Sequence, residues 1–273
     1  MQEKKRKFAI LINSSSFFIL AYLFLYVSGQ LVTIISGSLF EFDFSWFYYK
    51  VQFYISRSDW SHDSVKLIYG AVPVYYLILG IVSLIIYNKS KVYEGILKQF
   101  FLWLYLISFT LFLSSLLVGG FVNKGFGHVL RWSYLMDTGR MLHVFLALTG
   151  LVFLGYLSGR QILIAANSYF ESIKDEEKYV FYLYQILYPF IIGFIIIALI
   201  RIPHTGDNSF YDLIILGGFL LAALFIRLKF RFVNDLYFEE EDKKERFSRK
   251  LLFLAIIALL VYRIVLDPGI SPV

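Results

Sequence analysis

The chain has 273 residues, of which 59% are apolar, 20% aromatic and only 17% charged, with a net charge of +6 and no cysteine. A soluble domain carries roughly 45–50% apolar and about 25% charged residues, so this composition excludes an ordinary globular protein and makes a lipid bilayer the expected solvent. The lack of cysteine excludes disulfides, thiolate nucleophiles and thiolate-bound metal centres; the basic residues sit in loops between apolar stretches, a pattern of membrane orientation rather than of nucleic-acid binding.

In chain order, seven apolar stretches stand out: Phe8–Ile35, Lys66–Tyr87, Ile96–Phe121, Arg140–Ser158, Val180–Ile200, Asp212–Leu228 and Leu251–Leu266. A spanning helix needs about 20 apolar residues, and no water within a bilayer can satisfy exposed backbone, so each stretch is expected to be helical. The fold class this predicts is an all-α polytopic membrane protein, a single transmembrane domain over residues 1–273. It begins with Lys4-Lys5-Arg6-Lys7 before an apolar run too long for a signal peptide, read as a retained first span. With the N-terminus inside, seventeen Lys and Arg fall on the inner side and eight on the outer, which predicts a cytoplasmic N-terminus and an outer C-terminus. Short loops and a retained start suit a bacterial inner membrane.

Between the first two spans, Phe40-Glu41-Phe42-Asp43-Phe44-Ser45-Trp46 alternates strictly, and Val51–Ile55 continues with a looser period of two. That predicts a small β-hairpin lying at the membrane surface, with a strand edge open to β-addition. Gln161–Lys178 places Ile162, Leu163, Tyr169, Phe170 and Ile173 near one helical face and Asn167, Glu171, Lys174 and Asp175 largely on the other, which predicts an interfacial amphipathic helix. The run Glu239–Arg246 reads as a solvated helical connection, and Pro189 is expected to kink the fifth span. Gly119-Gly120 and Gly217-Gly218 are of the kind that permits close helix contact.

All four histidines fall on the predicted outer side. His62 is flanked by Asp59 and Asp63, His128 is followed by Asp137, His143 lies one turn into the fourth span, and His204 is near Asp207. Imidazole with carboxylate is what a divalent metal such as zinc requires, which makes His128, Asp137, His143 and His204 the candidate ligands. The run Tyr134–His143 places Asp137, Arg140 and His143 on adjacent turns of one stripe. Charges at a span's end pair or line a wet cavity; Asp137 also suits the N-cap of the fourth helix.

The succession of these elements resembles the core of site-2-type intramembrane metalloproteases. In that family a helix carrying H-E-x-x-H precedes a β-hairpin, a helix opened by a Gly-Pro element and an L-D-G-G-R-like motif whose aspartate is the third zinc ligand. Here Tyr26-Val27-Ser28-Gly29-Gln30-Leu31 stands at the first motif, Phe40–Ile55 is similar to the hairpin, Gly70-Ala71-Val72-Pro73 looks like the Gly-Pro element, and Leu135–Arg140 looks like the aspartate motif. The resemblance covers about Ala21–Leu154, with further helices over 160–273. Where the family needs two histidines and a glutamate, this chain has Tyr26, Gln30 and Val27. The resemblance therefore implies a protease-like scaffold without protease chemistry, because both imidazole ligands and the general base are missing.

No catalytic residue is assigned from the sequence and no cofactor is expected. The leading expectation is a non-catalytic membrane protein, in effect a pseudoenzyme, that binds or positions a membrane partner or lipid. The alternatives are a transporter or channel subunit with a polar path through Asp137, Arg140, His143, Gln30 and Tyr26, and a metal-dependent membrane enzyme.

Overall fold

A computed structural model describes residues 2–56, 58–90, 96–204, 207–238 and 247–271. The protein is an all-α polytopic membrane protein with a small β-hairpin after the first helix. Among the described residues, six helical segments are long and apolar enough to cross a bilayer: Glu3–Ser38, His62–Ser90, Leu97–Phe121, Asp137–Ser168, Asp175–Ile200 and Phe210–Phe230. They correspond to the first six stretches expected from hydropathy; the third begins one residue later than expected, and the others are extended at one or both ends.

The elements are α1 (Gln2–Ser38), β1 (Phe44–Phe47), β2 (Lys50–Phe53), α2 (His62–Ser90), α3 (Leu97–Phe121), α4 (Phe126–Trp132), α5 (Asp137–Ile164), β3 (Ser172–Ile173), α6 (Asp175–Tyr182), α7 (Tyr188–Ile200), α8 (Asp207–Gly217), α9 (Phe219–Phe230), β4 (Leu236–Tyr237) and α10 (Arg249–Leu266). The segment corresponding to the seventh expected stretch, α10, has 18 residues and so spans about 27 Å. It carries Arg249, Lys250 and Arg263, yet its placement fixes its course. At its start the Ser248 N–H donates to Asn13 Oδ1 near the beginning of α1. Just beyond its end, Ile270 exchanges two backbone hydrogen bonds with Trp46 in the hairpin that follows α1. Helix α10 therefore runs beside α1 along the bundle, although it is not among the six helices apolar enough by composition to cross a bilayer.

What faces outward is greasy. Val74, Ile78, Ile81, Val82 and Ile85 of α2 are exposed, as are Phe253, Leu254, Ile257, Leu260, Val261 and Ile264 of α10. Apolar surface on that scale is stable only against lipid tails. The interior holds serine, glutamine and tyrosine packed among large apolar side chains, as bundle interfaces without a hydrophobic drive do. One chain of bonds shows why. Pro189 has no N–H to give the Gln185 carbonyl four residues back, and the helix widens into a π turn over Leu183–Leu187. Ser14 Oγ donates to that carbonyl and accepts from Trp103 Nε1 at 2.8 Å, so the irregularity expected at Pro189 is used to lock α1, α3 and α7 together.

Two expectations give way to tertiary packing. The stretch 161–178 forms no amphipathic surface helix. Helix α5 continues to Ile164, a 3-10 turn covers Ala165–Ser168, and Ser172–Ile173 pairs with Leu236–Tyr237. Of the polar face expected there, Glu171, Lys174 and Asp175 are exposed, but Asn167 is buried, where it accepts from Lys98, and beside it Tyr169 donates to Gln99 Oε1 at 3.1 Å. The Gly70–Pro73 element does not open a helix either: α2 starts at His62 and Pro73 lies inside it. The run Glu239–Arg246 lies outside the described residues.

The hairpin forms as its alternation predicts, over a shorter length, with Phe44 opposite Phe53 and Phe47 opposite Lys50. Its β1 edge is not open. Ile270 occupies it through Trp46, and the Tyr48 N–H donates to the Leu266 carbonyl at 3.1 Å, so the C-terminus of α10 caps the strand.

Candidate functional site

Beneath the hairpin lies a cavity of about 310 Å³. Its walls follow from helical spacing. Tyr22, Tyr26, Gly29, Gln30 and Thr33 recur every three or four residues and form one face of α1; Tyr69, Val72, Pro73 and Tyr76 do the same on α2. Leu111 and Ser115 of α3 and Tyr211, Asp212 and Ile215 of α8 close the far side. Tyr49, Lys50, Val51 and Phe53 of the hairpin cover it, with Lys124, Phe126 and His128 at the α3–α4 turn. Leu111 lies ten residues before the end of α3, so the cavity reaches about 15 Å into the bundle, near mid-membrane depth.

Glycines set the wall spacing. A Cβ on Gly29 would collide with the Tyr76 ring, one on Gly37 with Phe53, and one on Gly125 with Tyr211. At all three places an aromatic ring of the wall or cover takes the volume a side chain would have filled. Gly125 also has a φ of 51°, a conformation that costs a residue with a Cβ.

In the cavity wall sits an ion pair. Arg201 follows α7 and is 2% exposed; its Nη1 donates to Asp212 Oδ2 at 3.0 Å and its Nη2 to the Tyr22 hydroxyl at 2.8 Å. Its guanidinium lies 4.8 Å from the Tyr26 ring centroid, and Tyr22 stacks on Tyr26. Removing these charges from water is costly, and the arrangement is stable because the guanidinium meets both a carboxylate and a hydroxyl. Asp212 lines the cavity and keeps 32% of its side-chain surface accessible.

The cover is held from both sides. Trp46 Nε1 donates to Gln30 Oε1 at 2.6 Å, tying β1 to α1. The Tyr48 hydroxyl bonds His204 Nδ1 at 2.7 Å, Tyr49 stacks on the same imidazole with centroids 4.4 Å apart, and the Arg263 guanidinium lies 3.7 Å from the Tyr48 ring centroid. Tyr262 donates to the Tyr48 carbonyl. At the mouth, the ring of His128 lies 4.9 Å from that of Tyr69, and burial, with Arg131 nearby, holds its imidazole below the ordinary 6.5. His128 is accordingly neutral at pH 7.

The residues singled out from the sequence divide into two places. Tyr26 and Gln30 line the cavity. Asp137, Arg140 and His143 are not among its lining residues and lie at the start of α5. Asp137 is exposed one position inside the helix, where Met136 is the N-cap, so its charge suits the helix dipole without capping. Arg140 Nη2 donates to Asn123 Oδ1, and His143 Nδ1 is 2.8 Å from the Gly139 carbonyl oxygen. His128 is at the mouth and His204 against the hairpin; the Asp207 side chain lies outside what is described. Among the described residues no three His, Asp or Glu side chains converge as a metal site.

Sequence reading passed over Arg201 and Asp212. The usable signal was there: opposite charges eleven residues apart, at the facing ends of two consecutive spans, across a short loop containing Pro203. No family model, curated protein or solved structure matches the chain.

Proposed function

We propose that the protein is a non-catalytic membrane protein that binds the polar part of a lipid or other amphiphile in the cavity beneath its hairpin. The observation that carries this reading is the cavity itself, about 310 Å³ of partly polar space in a bundle whose outer face is apolar. Ligand sites are typically about 300–1,000 Å³, mostly apolar, with a few placed polar groups, and this lining has that character. Tyr26 and Gln30, which stand where a site-2-type protease carries histidines, both line the cavity, which supports the degenerate-scaffold reading; Asp137 lies apart from them. In this reading the N-terminus is cytoplasmic and the hairpin and C-terminus face the outside of a bacterial inner membrane. A membrane partner would meet the hairpin, whose β1 edge is already occupied.

The test is native mass spectrometry of protein released from membranes under mild conditions. Wild type should retain a bound small molecule. Val72→Trp, which fills the cavity from α2, should lose it while keeping the helical circular dichroism of wild type. An empty wild-type protein, or equal retention by Val72→Trp, would refute the reading. Orientation is open to single-cysteine labelling, since the native chain has no cysteine: a cysteine at Lys5 should be shielded in intact cells and one at Asp43 should react.

A second reading has one observation of its own. The cavity reaches mid-membrane depth at Leu111 and carries a buried Arg–Asp pair in its wall, and transporters place substrate sites near the midplane beside such ionisable groups. Flux of a bound ligand in proteoliposomes, lost in Asp212→Asn, would favour transport over static binding.

A further inference from the structure

We infer that the cavity's ligand carries a phosphate group, held at the mouth by Lys50 with Gln30, Tyr69 and Tyr76 as hydrogen-bond donors. The inference rests on the ligand-binding reading above and deepens it.

The cavity offers donors in excess of acceptors. Trp46 has only a proton to give, so its bond to Gln30 Oε1 fixes which way the amide is turned and leaves the Gln30 NH2 as the free end of a cavity-lining side chain. The hydroxyls of Tyr69 and Tyr76 have no hydrogen-bond partner among the described residues, and both side chains line the cavity. Lys50 lines it too; its ammonium lies 5.5 Å from the Tyr49 ring centroid and meets no carboxylate among the described residues. The lining carboxylate, Asp212, is already engaged by Arg201.

A ligand that satisfies this set must bring acceptors and negative charge. A cation would meet the ammonium of Lys50 and an aspartate already paired, and a neutral polyol would leave Lys50 without its counter-charge. A phosphate brings several acceptor oxygens and a charge that low-dielectric walls do not screen. The volume says more. At about 310 Å³ the space falls within the range of small-molecule sites, roughly 300–1,000 Å³, and exceeds what a bare phosphate needs. The remainder leaves room for an organic part packed on the rings of Tyr26, Tyr49 and Phe53. A phospholipid headgroup and a soluble phosphate ester share this chemistry.

The experiment is calorimetric titration of the full-length protein in detergent with three probes: short-chain phosphatidylglycerol, the matching diacylglycerol, and glycerol 3-phosphate. Phosphatidylglycerol should bind at least tenfold more tightly than diacylglycerol, the scale of a charged hydrogen bond. Lys50→Gln should weaken it about tenfold or more, Tyr76→Phe by less, and Lys50→Arg should largely preserve it. Glycerol 3-phosphate binding as tightly as the lipid would support the phosphate and identify its source as a soluble ester. Equal affinity for diacylglycerol, or Lys50→Gln within twofold of wild type, would overturn the inference. If diacylglycerol binds that well and Val72→Trp still blocks it, the cavity reading stands and only the phosphate falls. If no probe binds and no molecule co-purifies, both fall.

Discussion

Asp212→Asn removes one charge from the buried pair and leaves the Arg201 guanidinium, 2% exposed, facing a neutral amide. Breaking a buried pair from one side costs about 3–5 kcal/mol, because the remaining charge stays dehydrated without its counter-ion. Two features place this case near the lower bound. Tyr22 still accepts from Nη2, and Asp212 keeps 32% of its side-chain surface accessible, so water in the cavity relieves part of the loss. About 3 kcal/mol is expected, which for a chain of this size lowers Tm by roughly 6–12 °C. The assay is thermal unfolding in detergent, followed by circular dichroism and at matched protein concentration. The double variant Arg201→Gln/Asp212→Asn carries the decisive comparison. With both charges gone, no buried ion is left uncompensated, so it should be more stable than Asp212→Asn alone, with a coupling of about 1–3 kcal/mol. A single variant within about 0.5 kcal/mol of wild type would refute the assignment of a dehydrated pair. So would a double variant whose loss is the sum of the two single losses.

Ser14→Ala orphans the buried Trp103 N–H and the Gln185 carbonyl that Pro189 leaves open; at about 1–3 kcal/mol for an unsatisfied group, a loss of about 2–4 kcal/mol should appear in the same unfolding assay, and a loss under about 0.5 kcal/mol would discount the bond chain. His128 is held below its ordinary 6.5, so the stability it contributes is full above 6.5 and is lost as pH falls through its lower folded value. Wild type should therefore lose stability between about pH 7.5 and 5 relative to His128→Gln, and parallel pH profiles would contradict this. Two glycines expected from sequence as close-contact points should behave differently. Gly217 has nothing within 4 Å of where an added methyl group would sit, so Gly217→Ala should be neutral or gain up to about 1 kcal/mol, whereas Gly119→Ala meets the Gly127 backbone nitrogen at 2.8 Å and should cost about 1–3 kcal/mol. Equal unfolding midpoints for the two would show that α3 and α4 do not pack so closely.

Hydropathy alone located the spans, because the requirement it reads is local: a stretch of chain either can or cannot sit in hydrocarbon with its backbone bonded to itself. The alternation at Phe40–Trp46 likewise announced a strand pair, and Pro189 an irregular helix, since period and ring chemistry act over a few residues. Charged residues in α10 did not hide it, as its apolar run was legible. The failures were all questions of partnership. Asn167 looked like a surface residue until Lys98, 69 positions away, supplied its partner. Asp137, Arg140 and His143 looked like a site because they share a stripe, yet that stripe is not part of the cavity. The hairpin edge looked open because nothing in its own sequence indicates that Ile270 fills it.

The residues that make the cavity come from segments as far apart as Tyr22 and Ile215, and the arginine of its ion pair also donates to a tyrosine 179 positions away. Lipid compatibility is a property of composition along the line of the chain, so the sequence by itself determined a polytopic helical membrane protein with a strand pair after its first span. Which polar groups meet, and what space they enclose, depends on how those helices rotate and cross. Only the tertiary structure decided that, because the energy of a buried charge is set by whatever stands within a few ångströms of it, not by its neighbours in sequence.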